Sequence, residues 1–226
     1  MKKSTLALLL LTLPLLLTLP LLLTLPRAVA AQKTTDTSAK ANISRIGEFV
    51  LDWKEGVIEF VGPTPSGKLT ATLTGGITPV SLVARENGGE VLKKTSLKSR
   101  RRELTGQKIV VGVVNVNVNG KKPLVTGATL ARNVTIIVEQ ISLADEKTSI
   151  KVRCDSASYK AGPKLGTGRI DFSGNARIWY YGGLELETTM QSGWIDLGDP
   201  DDAENKPPTL NLNGGSTTGT PGKGKG

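Results

Sequence analysis

The chain has 226 residues, of which 38% are hydrophobic but only 4% aromatic, and it carries a formal net charge of +9. It has no histidine and a single cysteine. The commonest general base, an intramolecular disulfide and a cysteine-based zinc site are therefore all excluded. No Ser/His/Asp set, phosphate loop or metal-ligand spacing occurs, so the reading is a protein that is not an enzyme, with no cofactor and no metal.

The first thirty residues read as a targeting segment. Lys2 and Lys3 precede an apolar run from Leu6 to Leu25, built on the hexapeptide Leu-Leu-Leu-Thr-Leu-Pro written three times. Ala28-Val29-Ala30 offers small residues where a signal peptidase cuts. Cleavage after Ala30 is expected, giving a periplasmic protein. The alternative is an uncleaved segment that anchors the chain in the inner membrane, since twenty apolar residues can span a bilayer. Pro14 and Pro20 argue against such a helix. Removing Lys2, Lys3 and Arg27 leaves a charge of +6. A basic protein outside the cytoplasm has anionic partners, such as acidic glycolipids, surface polymers or headgroups, and nucleic acid is not among them.

Residues 31–42 are polar and read as a flexible lead-in. Residues 43–198 carry the fold. Residues 199–226 form a Pro/Gly/Ser/Thr/Lys stretch that is expected to stay disordered. Within the fold, strands are signalled by period two. Leu69-Thr70-Ala71-Thr72-Leu73-Thr74 and Val114-Asn115-Val116-Asn117-Val118-Asn119 both alternate, as does Ala176-Arg177-Ile178-Trp179-Tyr180-Tyr181. Gly75-Gly76, Asn87-Gly88-Gly89, Asn119-Gly120, Gly174-Asn175 and Gly182-Gly183 are the turn signals between them. Cys154 falls on the apolar phase of Ile150-Lys151-Val152-Arg153-Cys154 and reads as a small buried hydrophobe. The class is all-β: an open V-shaped jelly roll, or a short stacked β-solenoid of antiparallel strands.

A strand, a small or polar pair, a second strand and a return strand recur from Leu69, from Ala128 and from Ile170. One such unit cannot bury its apolar face alone, whereas stacked units can. In the third unit, Phe172-Ser173-Gly174-Asn175-Ala176-Arg177-Ile178-Trp179 resembles the repeated Gly-Asn pattern of the OstA-like family of periplasmic lipopolysaccharide-transport proteins. Ala131-Arg132-Asn133-Val134-Thr135-Ile136, followed by Lys151 to Tyr159, is similar to the same family's pattern in the second unit. The resemblance covers about Leu69 to Asp196. It implies an open jelly roll with acyl chains between its sheets, binding lipopolysaccharide or a related glycolipid. It also implies association with further copies or with other envelope transport proteins through edge strands. The basic stretch from Glu90 to Lys122 and Trp179-Tyr180-Tyr181 depart from that pattern.

The candidate lipid-binding groove is the apolar phase: Leu69, Leu73, Ile136, Val138, Ile150, Val152, Phe172, Ile178, Tyr180 and Leu186. In a closed sandwich the same residues are simply the core. On one strand Lys98, Arg100 and Arg102 share a face and are the candidate phosphate contacts. Charges that guard a solvated sheet edge are the plainer reading of that cluster. Trp179, Tyr181 and Trp194 are candidate sugar-stacking residues. The second functional reading is a structural or adhesive envelope β-sandwich that binds anionic polymer or carbohydrate.

Overall fold

The structure, a computed structural model, describes residues 43–53, 55–87, 97–182, 185–199, 208–213 and 217–218. Residues 1–42, expected to hold a targeting segment and a lead-in, lie outside them. The described residues form strands and connections only, with no helix among them. In chain order the strands are β1 (Ile43–Ile46), β2 (Phe49–Asp52), β3 (Val57–Val61), β4 (Leu69–Thr74), β5 (Val80–Asn87), β6 (Leu97–Gly106), β7 (Lys108–Val114), β8 (Leu124–Ser142), β9 (Lys147–Ala161), β10 (Gly168–Tyr181), β11 (Glu185–Asp196), β12 (Thr209–Asn213) and β13 (Thr217–Thr218).

All pairings are antiparallel and belong to one open sheet that does not close into a barrel. The main path runs β1-β2-β5-β6-β8-β9-β10-β11-β12. A branch leaves β8 through β7 and β4 to β3. The nineteen-residue length of β8 makes the branch possible. Its first half, Leu124 to Ala131, pairs with β7, and its second half, Thr135 to Ser142, pairs with β6. Within β8 the register shifts at Arg132 and Asn133, both at positive φ. The neighbouring register shift in β10 falls at Gly174 and Asn175, with φ of 79° and 45°. Asn175 Nδ2 donates to Asp155 Oδ2 at 3.1 Å and ties the two bulges across β9. Bulges of this kind let one strand serve two packed layers.

The two halves face each other across one hydrophobic core. Phe49, Leu51, Leu82 and Leu104 come from the β6 side. Ala71, Leu73, Ile109 and Val111 come from the β7 side. Ile136, Ile150, Ile170, Phe172 and Ile178 of the shared strands lie in the same cluster. Phe49 meets Tyr159 edge to face, with ring centroids 5.6 Å apart, which joins β2 to the far end of β9. Period-two sequence makes this core, because alternate side chains of every strand point inward. β7 shows it plainly: Ile109, Val111 and Val113 are buried while Val110, Gly112 and Val114 are not.

Three local expectations change. Val114 to Asn119 alternates like a strand, yet β7 ends at Val114 and a turn follows. Asn115 and Asn117 take φ of 61° and 57°, a region asparagine enters more readily than β-branched residues. Gly174-Asn175 reads as a turn but is a bulge inside β10. The expected disordered tail supplies β12, which pairs Thr209–Asn213 with Ser192–Asp196. Leu210 and Leu212 pack against the core there, so a short alternating stretch outweighs its Gly/Pro-rich surroundings.

Candidate functional site

Of the ten residues expected to line a groove, seven are sealed into the core. Leu73, Ile136, Ile150, Val152 and Ile178 are 0% exposed, Val138 1% and Phe172 2%. No hydrocarbon tail reaches them without displacing side-chain contacts, so the expected trough is corrected to a packed interior. Leu69, Tyr180 and Leu186 are half-buried.

The basic cluster also divides. A register shift between Leu97 and Ser99 breaks the simple alternation of β6. Lys98 is exposed and pairs with Asp145 at 2.7 Å. Arg100 and Arg102 point inward and are 5% and 2% exposed. Arg102 pairs with Glu48 at 2.8 Å and with Glu86 at 3.0 Å. Arg100 pairs with Glu86 at 2.6 Å and donates to the Gly166 carbonyl at 3.2 Å. Burial and the Arg102 charge pull the Arg100 pKa below its ordinary value, against the opposing pull of Glu86. Burial also pushes the nearby Tyr159 hydroxyl up to about 12. These two arginines are internal ion-pair partners, not contacts for an external phosphate. Isolated charge cannot stay buried, so the carboxylates must sit beside them.

The outer surface carries the site with ligand-binding chemistry. At the end of the β10–β11 hairpin a depression of about 410 Å³ is lined by Ser149, Lys151, Trp179, Tyr180, Tyr181, Leu186 and Glu187. Trp179 lies opposite Lys151 on β9 and Glu187 on β11. Three cations surround its ring: Arg177 at 5.1 Å, Lys151 at 5.4 Å and Arg153 at 5.7 Å from the centroid. Arg177 is balanced by Glu187, 2.8 Å from Nε. Tyr180 and Leu186 alternate to the inner side and form the apolar edge of the same depression. The rim therefore offers positive charge and an aromatic face on one side and greasy surface on the other.

Sequence reading assigns Tyr180 and Leu186 to the groove between sheets and Trp179 and Tyr181 to a sugar-stacking platform; the structure brings these four to one depression. It misses Lys151, Arg153, Arg177 and Glu187. The missed residues fall in two neighbouring rows, Lys151–Trp179–Glu187 and Arg153–Arg177, and that placement depends on strand register, which no local pattern states. Trp194 does not join Trp179 and Tyr181 in one platform. It lies on β11 opposite Asp171, seven residues beyond Glu187. Asp199 pairs with Lys164 at 2.6 Å. Cys154 is buried on the apolar phase, as its position in the alternating run implies.

Comparison of the chain with protein-family models, curated proteins and solved structures gives no match.

Proposed function

We propose that the protein is a non-catalytic envelope binding protein for an anionic amphiphile, a glycolipid of the lipopolysaccharide type, working as a carrier in the manner of the OstA-like proteins. The ligand sits at the Trp179 rim instead of along the interior. The observation that carries this reading is one depression lined by Lys151, Trp179 and the half-buried Tyr180 and Leu186, with Arg153 and Arg177 also against the Trp179 ring. Lys151, Arg153 and Arg177 suit a phosphate or carboxylate, arginine by its two-pronged geometry. Tyr180 and Leu186 suit the first methylenes of an acyl chain, each contributing roughly 0.8 kcal/mol when buried.

The test is co-sedimentation of the mature protein with purified lipopolysaccharide, and with vesicles containing phosphatidylglycerol. Binding that weakens with salt is expected. The triple substitution Lys151→Gln, Arg153→Gln, Arg177→Gln should lower affinity at least tenfold, and Leu186→Asp should lower it as well. Absence of binding to both probes, or affinity unchanged by the triple substitution, overturns the reading. The packed interior favours a second reading, an envelope module that holds an anionic polymer on the same cations. In that case binding falls in the charge variant but is indifferent to Leu186→Asp.

A further inference from the structure

On the same outer surface, past the bulges and away from the Trp179 rim, lies a second depression of about 460 Å³. Two neighbouring cross-strand rows run through it, and all their residues but Ala131 and Asn211 line it. One runs Thr129–Ser158–Asp171–Trp194–Asn211 and the other Ala131–Ser156–Ser173–Ser192–Asn213. Each row crosses five strands, from β8 to β12, at a spacing of about 4.8 Å, and every position but Ala131 and Trp194 offers a hydroxyl, amide or carboxylate. The Ser156 and Ser173 hydroxyls already bond to each other at 2.8 Å.

We infer that this cleft is a binding site for a neutral, hydroxyl-rich glycan chain lying across the strands, with the Trp194 indole as its stacking wall. The inference does not depend on the Trp179 reading. A row of small donors and acceptors at strand spacing matches the regular hydroxyls of an extended sugar chain. An aromatic wall matches the apolar face of a pyranose ring. The charge balance selects a neutral chain: Asp171, the one carboxylate lining the cleft, is held by Arg169, with Arg169 Nε 2.7 Å from Asp171 Oδ1. The three-cation surround of Trp179 has no counterpart here.

Arg169 also lies over the Trp194 ring, 4.4 Å from its centroid. Its side chain is 50% exposed and its ion pair is a surface one, which costs little to release. Arg169 thus covers the platform and swings aside, still within reach of ligand hydroxyls, when a sugar ring stacks.

The experiment is calorimetric titration of the mature protein with cellohexaose, maltohexaose, mannohexaose and chitohexaose. Saturable binding of at least one is expected. Hexamers should bind at least fivefold more tightly than the matching dimers, because the rows span five strands. Trp194→Ala should weaken binding at least tenfold, Trp194→Phe less, and Trp179→Ala by under twofold. Arg169→Ala should leave affinity unchanged or raise it, because it uncovers the ring. If Trp194→Ala fails to fold, Ser173→Val with Ser192→Val, which blocks the second row, takes its place with the same expected loss. Binding of none of the four hexamers overturns the inference. So does affinity that both the Trp194 and the Ser173/Ser192 variants leave within twofold.

Discussion

The Arg102 guanidinium lies over the Phe49 ring, 5.4 Å from its centroid, inside the core of a β-protein. The same guanidinium reaches Glu48 and Glu86, so it joins β6 to β5 and to the turn before β2. A charge at this depth is stable only while its partners stay, since removing one partner leaves the other buried and unpaired. Arg102→Met should therefore cost about 3–5 kcal/mol. Adding Glu48→Leu should recover most of that loss. Urea unfolding of the two variants measures both values, and a near-neutral single variant would show that the pairing adds no stability.

Ile136 is 0% exposed and packs with Val152 and Ile178 in the shared strands. If these residues formed an open trough, truncation would cost little. As core, Ile136→Ala should destabilise by about 2–5 kcal/mol. A loss below about 1 kcal/mol by thermal or urea unfolding would return them to the role of a groove lining.

Gly174 holds the bulge in β10 at a φ of 79°, where a Cβ would stand 2.5 Å from Asp155 Oδ2. Both the backbone region and the space exclude a side chain. Gly174→Ala should cost about 1–3 kcal/mol. Asn175→Ala should lower stability further by removing the bond to Asp155. Equal melting temperatures for wild type and Gly174→Ala would mean that the corner is not held as described.

Burial pushes the Cys154 thiol up to about 11. Only the thiolate reacts, so iodoacetamide at pH 8 should label the native protein roughly two orders of magnitude more slowly than the urea-unfolded chain. Rapid labelling under native conditions would place Cys154 at the surface.

Glu139 bridges Lys147 at 3.1 Å and Arg101 at 3.3 Å on the outer face. Burial alone would raise its pKa, but the hydrogen bond and charge of Lys147, followed by those of Arg101, hold it below the ordinary value. Because the folded pKa is the lower one, this stabilisation is present above the unfolded carboxylate range and is lost as pH falls through the folded value. Glu139→Gln should thus lower the urea midpoint at pH 7, and the gap from wild type should close by about pH 2–3. A gap that persists or grows in acid contradicts the assignment.

The sequence by itself determined the class of fold and most of the inward phase. Ile109-Val110-Val111, Ile136-Ile137-Val138 and Ile150-Lys151-Val152 place alternate side chains on alternate faces, whatever pairs with them. It also determined that Trp179 and Tyr181 face away from Ile178, because that too is a property of one strand. Tertiary structure alone decided whether the inward face meets a ligand or a second layer, since both use the same apolar residues. It settled the arginines of β6 as well: their internal carboxylates, Glu48 in the turn before β2 and Glu86 on β5, become their neighbours only through strand pairing. The cations around Trp179 and the rows beside Trp194 were hidden for the same reason. Each joins residues side by side across strands, and register between strands is set by bulges and packing that no single segment encodes.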